Sequence, residues 1–395
     1  QPSATATSGA AFGTQPAIQI RDAFGNVVTS DGTTQVTAAR LAGTGTLQGT
    51  VTATASSGIA TFTNLQHDVT GTITVQFSSG SLTAATSNSV VVSASAATNL
   101  TVTTAPSANP QNAIAFTTQP SIQLRDAQGN AVSTSAVNVT AAITAGGGTL
   151  GGTTTVATNG SGVATFTDLA ITGSIGARTI TFTSGALTTI TASVTVVAGT
   201  LNNFAVEAQG GASIAQQTAG ASFNIRIVAR DVSSNTVTTY TGAGTSVNIT
   251  STGTLSVGSG ATATFSNGEV ASHAVTVSNT GTFTITATKP TTLETGASNS
   301  FAVVVGTATQ IAVNAGNSQS ATAGAAVGTA PSVIVRDANN NVVPGIDVAF
   351  AVTGGSGSVS PAVVTTNSSG IAALTSWTLG TTAGANTMEA TVAGM

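Results

Sequence analysis

Side chains that could carry out catalysis are scarce in this chain of 395 residues. The sequence contains two histidines, His67 and His273, one tyrosine, Tyr240, and no cysteine. Neither histidine lies in a paired metal motif such as HExxH, and no Ser-His-Asp pattern is signalled. An isolated histidine is more often a surface or half-buried residue than a general base. The sequence therefore predicts a protein that is not an enzyme.

The sequence also contains few residues that could bind a metal ion or a phosphate group. Calcium takes about six to eight oxygen ligands, yet the segments SASAATN, VAGTLNN and VVGTATQ, interpreted below as linkers, carry no acidic residue. The glycine runs 146–152 and 242–248 lack the lysine and the following helix that a phosphate-binding loop needs. An internal isopeptide bond could form in one repeat at most, because Lys289 is the only lysine. We expect no cofactor and no metal.

An Arg-Asp pair recurs four times, although only 5% of the residues are charged: Arg21-Asp22, Arg125-Asp126, Arg230-Asp231 and Arg336-Asp337. The pairs could be evenly spaced ligand contacts, or they could be structural. The stretch IQIRDAFGN is typical of a strand that enters a tight turn, where Asp accepts backbone N–H bonds and Gly or Asn tolerates a positive φ. Successive strand residues point to opposite faces, so Arg should diverge from Asp. We therefore predict a structural turn motif.

The spacing of these pairs divides the chain into four repeats. The intervals are 104, 105 and 106 residues, and a second marker follows each pair as SSGIATF, GSGVATF, SNGEVAS and SSGIAAL. A closing strand and linker recur near residues 95, 199 and 306. The predicted domains are 1–94, 95–199, 200–306 and 307–395. Such a period suits an autonomous domain of about 100 residues rather than a solenoid unit of about 20–50.

The elements that must position these residues are β-strands. Runs such as AIQIRD, VNVTAAI and RTITFTS alternate apolar and polar residues, which places one strand face in a core and the other in water. Turn signals such as FGN, QGN and NGSG separate the runs, and no segment has helical periodicity. The sequence predicts an all-β chain of four antiparallel sandwiches, each of about seven strands, in tandem as an extended rod.

The last repeat, 307–395, resembles a known family. Its segments VRDANNNVVPG and TNSSGIAAL, with the later WTLGTTAGAN, are similar to the bacterial immunoglobulin-like domain family 1, the repeats of invasin- and intimin-type adhesins. Repeats 1 and 2 resemble this family more distantly, and repeat 3 departs most, with RDVSSNTVTTYTG at its turn. The resemblance implies immunoglobulin-like (Ig-like) sandwiches strung as a rod outside the cell, without a catalytic residue.

Repeats 1 and 4 differ from the others at their outer ends. Aligned on repeat 2, Gln1 falls on Ala105, so repeat 1 lacks the opening strand ATNLTVTTA. Repeat 4 stops at ATVAGM, before the closing strand that the other repeats possess. Two interpretations stay open. The sequence is a window of a longer array, or a neighbouring molecule supplies the missing strand by β-augmentation.

These observations together predict a passive structural role. The net charge of −4 provides no basic surface for nucleic acid, and no apolar run is long enough to cross a membrane. We expect a stalk of a bacterial surface adhesin, extracellular or on the cell surface. Its partners would be adjoining repeats of the same long chain or copies of itself, with any host, cell-surface or matrix ligand bound outside this segment.

Three alternatives are weighed against the stalk. One is a subunit of an extracellular filament or sheath that assembles by lateral or donor-strand contacts. Another is a phage or virion decoration array. A carbohydrate-binding module would need an exposed aromatic platform, which Trp377 and Tyr240, the only Trp and Tyr, supply poorly.

Overall fold

The structure, a computed structural model, describes residues 1 to 395 and consists of strands and turns. It contains no helix that is long and apolar enough to cross a membrane. The chain forms two compact units, Gln1–Val197 and Ala198–Met395. Each unit holds two separate hydrophobic clusters, one in each predicted repeat. The prediction of an all-β chain of tandem sandwiches is confirmed.

Repeat 1 begins the first unit and contains ten short strands. They are β1 (Thr5–Thr7), β2 (Ala17–Gln19), β3 (Gln35–Ala42), β4 (Leu47–Gln48), β5 (Thr52–Thr54), β6 (Ile59–Thr61), β7 (Gln66–His67), β8 (Gly71–Ser78), β9 (Ala85–Thr86) and β10 (Val90–Ser93). One sheet has the order β1-β10-β8-β3-β5 with β9 beside β8, and the pairs β2-β6 and β4-β7 complete the repeat. Strand β2 has β6 as its only neighbour.

Repeat 2 completes the first unit. Its strands are β11 (Asn99–Thr104), β12 (Ser121–Arg125), β13 (Asn138–Ala145), β14 (Thr149–Gly151), β15 (Thr155–Ala157), β16 (Val163–Thr165), β17 (Ala170–Thr172), β18 (Gly176–Thr183) and β19 (Ile190–Val196). Three sheets form, in the orders β11-β12-β16, β15-β13-β18-β19 and β14-β17. The opening strand β11 is antiparallel to β12, so β12 has a neighbour on both edges.

Repeat 3 begins the second unit. Its strands are β20 (Asn203–Ala208), β21 (Gln217–Thr218), β22 (Ser222–Arg230), β23 (Asn248–Ser251), β24 (Leu255–Val257), β25 (Gly260–Ala261), β26 (Glu269–Val277), β27 (Gly281–Phe283), β28 (Ile285–Thr288), β29 (Thr295–Ala297) and β30 (Phe301–Val304). The sheets have the orders β20-β22-β26-β24, β21-β30-β27 and β25-β23-β28-β29. Strand β22, which leads to the third Arg-Asp pair, lies between β20 and β26.

Repeat 4 has the fewest strands. They are β31 (Ala308–Ala315), β32 (Ser332–Asp337), β33 (Asp347–Gly354), β34 (Ser358–Ser360), β35 (Val363–Thr365), β36 (Ile371–Ala373), β37 (Ser376–Thr378) and β38 (Thr387–Val392). Its sheets have the orders β31-β32-β36, β35-β33-β38 and β34-β37. The opening strand β31 covers one edge of β32, as β11 covers β12.

The alternating pattern of the sequence explains how the cores form. In β8, with the sequence GTITVQFS, the side chains of Ile73, Val75 and Phe77 are buried, whereas the residues between them face outward. The ring of Phe77 packs at 5.4 Å from that of Phe62. Burial of one such side chain contributes about 1.5–3 kcal/mol. Each repeat therefore has its own apolar core.

The strands outnumber the prediction of about seven per sandwich. The repeats contain ten, nine, eleven and eight strands, because turns break the longer runs into pieces. In repeat 2, Gly148 and Gly152 both have a φ of +87° and bound the short strand β14. A positive φ interrupts the extended backbone, and the alternation of residue types does not reveal it.

Candidate functional site

Each Arg-Asp pair stands where a strand enters the same tight loop. In repeat 2 the Asp126 N–H donates to the Asn130 carbonyl at 3.0 Å, and the Gly129 N–H donates to the Asp126 carbonyl at 3.1 Å. Gly129 has a φ of +85°, a conformation that glycine adopts at little cost. The other repeats form the same loop after Asp22, Asp231 and Asp337, with Gly25, Ser234 and Asn340 at the positive-φ position.

The aspartate organises this loop from within. Asp126 Oδ1 accepts hydrogen bonds from the Gln128 N–H at 3.0 Å and from the Asn130 N–H at 2.8 Å. The corresponding bonds to Asp22, Asp231 and Asp337 measure 2.8–2.9 Å. The carboxylate thereby replaces the backbone partners that the turn residues lack.

The arginines do not pair with the adjacent aspartates. Arg125 and Arg336 donate to a carbonyl of the loop, at 2.7 and 2.8 Å. Arg21 instead binds the side chain of Gln19, and Arg230 forms an ion pair with Glu207 at 2.5 Å. The two members of each pair therefore act separately, and only the aspartate has the same role in all four loops.

The second carboxylate oxygen binds the linker that leads into its own repeat. Asp126 Oδ2 accepts the backbone N–H of Ser95 at 3.1 Å. In repeats 3 and 4 the same oxygen accepts the N–H of Gly199 at 2.9 Å and of Gly306 at 3.1 Å. These linker residues lie at the predicted repeat boundaries. The motif thus joins the turn to the linker as well as shaping the turn.

Asn130, four residues after Asp126, forms hydrogen bonds with groups of repeat 1. Its Nδ2 donates to Ser8 Oγ at 2.7 Å and to the Asp68 carbonyl at 2.8 Å, and its Oδ1 accepts the Thr70 N–H at 3.1 Å. The same Nδ2 also binds Asp126 Oδ2 at 3.0 Å. One buried amide therefore connects the turn of repeat 2 to the end of repeat 1.

We call this set of hydrogen bonds between consecutive repeats a joint. The second unit contains another joint, between repeats 3 and 4. Asn341 Nδ2 donates to the Ser278 carbonyl of repeat 3 at 2.7 Å and to Asp337 Oδ2 at 2.9 Å. Close packing accompanies these bonds, since a Cβ on Gly220 would lie 2.1 Å from the side chain of Asn339. The equivalent contact in the first unit is between Gly9 and Gln128.

The buried aspartates stay ionised at neutral pH. Asp126 and Asp337 are 0% and 1% exposed. Burial by itself raises the pKa of each carboxyl group, but hydrogen bonds from Asn130 and Ser95, or from Asn341 and Gly306, lower the pKa more, so that it lies below its ordinary value. The charge is compensated by N–H groups rather than by a cation.

A glycine of the second repeat marker, which reads GSGVATF in repeat 2, packs against the segment that follows the aspartate loop. Gly162 has a φ of +74°, its carbonyl accepts the Leu124 N–H at 3.0 Å, and a Cβ there would lie 1.8 Å from the Val132 carbonyl oxygen. Gly58, Gly268 and Gly370 occupy the same position in the other repeats, also with a positive φ. The Arg-Asp pair and the glycine marker therefore recur together because the segments that carry them are in contact in the fold.

Repeat 1 forms the loop without the linker. Asp22 Oδ1 accepts the N–H groups of Phe24 and Asn26, and Oδ2 binds only the Asn26 side chain, at 3.2 Å. Asp22 and Asn26 are exposed, and Phe24 is 91% exposed. The counterparts of Asp22 and Asn26 in repeats 2 and 4 are buried or half-buried, whereas here they face solvent.

Other reactive side chains serve packing. His67 is buried, with Nδ1 at 3.0 Å from the Val69 carbonyl, and His273 Nε2 lies 2.9 Å from a backbone carbonyl. Tyr240 packs against Phe265 with ring centroids 4.9 Å apart, and burial, with a smaller effect of Glu294, raises the pKa of its hydroxyl. No group of three or more His, Cys, Asp or Glu residues is placed to hold a metal ion.

The asparagine at the fourth position after each aspartate was missed by the sequence reasoning. It is Asn26, Asn130, Asn235 and Asn341. Its constant distance of four residues from the aspartate was the signal in the sequence. A loop that needs one residue with a positive φ does not by itself require an asparagine at this further position in all four repeats. Its bonds to the preceding repeat depend on contacts that no local pattern describes.

Comparison with known proteins assigns no family. No family profile matches the chain, and no curated protein matches it. Among solved structures, the Escherichia coli adhesin FdeC is similar at 20% identity and a TM-score of 0.35, over 76% of this chain and 94% of that one. The D0-D1 domain of intimin is similar at 18% identity and a TM-score of 0.21, and the match covers 53% of this chain and 98% of that one. Domains 1–6 of the surface layer protein SbsC are similar at 18% identity and a TM-score of 0.24, and the match covers 99% of this chain and 51% of that one.

Proposed function

We propose that this chain is a non-enzymatic, extracellular structural protein, the stalk of Ig-like repeats in a bacterial surface adhesin. The observation that carries the proposal is the joint built by Asp126 and Asn130 and rebuilt by Asp337 and Asn341. A stalk has to hold consecutive domains in a fixed relation, and these residues bind both the linker and the preceding repeat.

Burial makes these joints effective. A typical hydrogen bond contributes about 0.5–1.5 kcal/mol net, whereas a buried polar group left without a partner costs about 1–3 kcal/mol. Bending at the first joint would separate Asn130 from Ser8, Asp68 and Thr70 together. Such a network resists hinge motion more than the small linker residues would by themselves.

The composition fits a passive spacer. With 20 charged residues among 395, the surface relies on Thr, Ser, Asn and Gln, so contacts along the chain depend little on salt. The stalk would lie outside the cell or on its surface, next to further repeats of the same long chain, with any host or matrix ligand bound elsewhere. We also propose membership of the bacterial immunoglobulin-like domain family 1, supported by the motifs of 307–395.

Electron microscopy of the purified chain tests this function. A stalk gives monomeric particles in which repeat 2 keeps one angle to repeat 1 and repeat 4 keeps one angle to repeat 3, and the double variant Asn130→Ala, Asn341→Ala gives variable angles. Ordered polymers would instead support the filament or sheath subunit and would refute the plain spacer. The exposed counterpart Asn26→Ala is the matched control and should leave the particles unchanged.

A further inference from the structure

A groove of about 1030 Å³ lies beside the linker between repeats 1 and 2. Its walls are the linker, 93–97, the stretch 131–134 that follows the aspartate loop, and the turn 184–187, and Thr70 of repeat 1 closes one end. The backbone N–H groups of Thr70 and Ser95 both take part in the joint. The groove therefore extends the joint to the surface of the first unit.

The lining of the groove is apolar at its floor and uncharged throughout. Leu124 and Val132 are buried at the floor, and Val137 and Leu187 pack half-buried against the same core. No lining residue is Asp, Glu, Lys, Arg or His. An ion would lose hydration here without gaining an opposite charge, so the groove suits an uncharged group. Hydroxyl side chains line its rim: Thr70, Ser95, Ser133 and Thr134.

An aromatic ring occupies the corresponding region of repeat 3. Tyr240 packs against the core of that repeat together with the linker residues Ala198 and Leu201. The ring centroid of Tyr240 lies 5.9 Å from that of Phe204 in the opening strand β20. Lys289 Nζ, in the turn after β28, lies 5.5 Å from the centre of the Tyr240 ring. The ring thus lies next to the opening strand and to that turn, on a core that the linker also covers.

Repeat 2 has smaller side chains at the matching positions. Ser135 and Tyr240 each stand nine residues after the aspartate of their loop, and Ser135 is exposed. Ala97 matches Leu201, because each stands two residues after the linker N–H that binds the aspartate. The loss of a tyrosine and a leucine beside the linker accounts for the open groove.

The ring of Tyr240, rather than its hydroxyl, is what fits this place in repeat 3. The hydroxyl is buried and has no hydrogen-bond partner. Burial of the ring is the favourable contribution, since an aromatic side chain buries about 150–250 Å². A phenylalanine should therefore fit the groove of repeat 2 as well as a tyrosine does.

We propose that the groove beside the linker of repeat 2 binds the aromatic side chain of a partner polypeptide, a Tyr or Phe within an uncharged stretch. The ring would pack on Leu124, Val137 and Leu187, and the flanking backbone would follow the hydroxyl-lined rim. Because Thr70 belongs to repeat 1, such a partner would recognise two joined repeats rather than one. The site would exist whether the chain is a stalk or a filament subunit.

Peptide binding to the full chain tests the site. The probe is a labelled peptide with the sequence of 236–242, TVTTYTG, which carries the tyrosine of repeat 3 and no charged side chain. Two further peptides carry the changes Tyr240→Phe and Tyr240→Ser, and anisotropy measures the binding of all three. We expect saturable binding of the Tyr and Phe peptides and at least tenfold weaker binding of the Ser peptide.

Two protein variants with matched controls locate the bound ring. Leu187→Ala removes part of the floor and should weaken binding about fivefold. Leu82→Ala makes the same change at the corresponding turn of repeat 1, outside the groove, and should leave the affinity unchanged.

Ala186→Trp supplies a ring from within the groove and should abolish binding of the peptide. Ser81→Trp is its counterpart in repeat 1 and should have no effect. Ala186 and Ser81 are both exposed, so the fold should tolerate both changes, and thermal unfolding of each variant verifies this.

Three results would overturn the proposal. The first is binding of the Tyr peptide that does not saturate at millimolar concentration. The second is equal affinity of the Tyr and Ser peptides, which would show that the ring is not what is recognised. The third is unchanged affinity in both Leu187→Ala and Ala186→Trp, which would place the peptide elsewhere on the chain.

Discussion

Asp126 Oδ2 accepts the backbone N–H of Ser95 at 3.1 Å, so the carboxylate that shapes the turn of repeat 2 also holds the linker before that repeat. Its partner Asn130 binds three groups of repeat 1. Turn and joint are thus one buried network, since a single carboxylate takes part in both. The same double role of the aspartate recurs in repeats 3 and 4, where Asp231 and Asp337 bind the N–H groups of Gly199 and Gly306.

Replacement of Asp126 by Ala should destabilise the first unit. The buried N–H of Asn130 and the partly buried N–H groups of Ser95 and Gln128 would lose their acceptor, and a buried group without a partner costs about 1–3 kcal/mol. We expect a loss of about 1–3 kcal/mol in the free energy of unfolding, measured by calorimetry. Asp22→Ala is the matched control, because water can satisfy the exposed groups of that loop. Equal losses in the two variants would contradict the role of the linker bond.

Two glycines of one loop should differ sharply in their tolerance of alanine. A Cβ on Gly162 would meet the Val132 carbonyl oxygen at 1.8 Å on a backbone with φ +74°, whereas a Cβ on Gly160 meets nothing within 4 Å. Gly162→Ala should lower the unfolding free energy by about 2 kcal/mol or more, and Gly160→Ala by less than about 0.5 kcal/mol. Thermal unfolding of both variants checks this, and comparable stabilities would refute the close contact.

Acid should loosen the joints. Burial raises and hydrogen bonds lower the pKa of Asp126 and Asp337, and the net result lies below the ordinary value of 3.8. A lowered pKa contributes stability that is fully present above the unfolded value and is lost as pH falls through the folded one. The melting temperature should therefore be nearly constant from about pH 8 to 5 and fall below about pH 4. Asp126→Asn should show a smaller acid loss, and a melting temperature that rises on acidification would contradict the account.

Much of this architecture follows from the sequence. Alternation in the segment RTITFTS predicts β18 with Ile180 and Phe182 on its buried face, because a strand has a period of two residues. The loop after Asp126 follows from Asp at the turn start and Gly129 at the positive-φ position. Local preferences of the backbone determine both features, so a short stretch of sequence contains the information.

The joint could not be predicted in the same way. The bonds from Asn130 reach Ser8 and Asp68, which lie 122 and 62 positions away in the chain. Two repeats must already be folded and adjacent before these atoms meet. The strand count failed for a related reason, since glycines such as Gly152 end strands through backbone angles that the apolar pattern does not encode.

Hydrogen exchange at Thr70 tests the central claim most directly. Its backbone N–H donates to Asn130 Oδ1 at 3.1 Å and reports contact between repeats 1 and 2. In Asn130→Ala we predict exchange of the Thr70 amide at least tenfold faster than in the unaltered chain, with repeat 2 still folded. Asn26→Ala, the exposed counterpart, should leave that rate unchanged. An unchanged Thr70 rate in Asn130→Ala would contradict the claim that this turn joins the repeats.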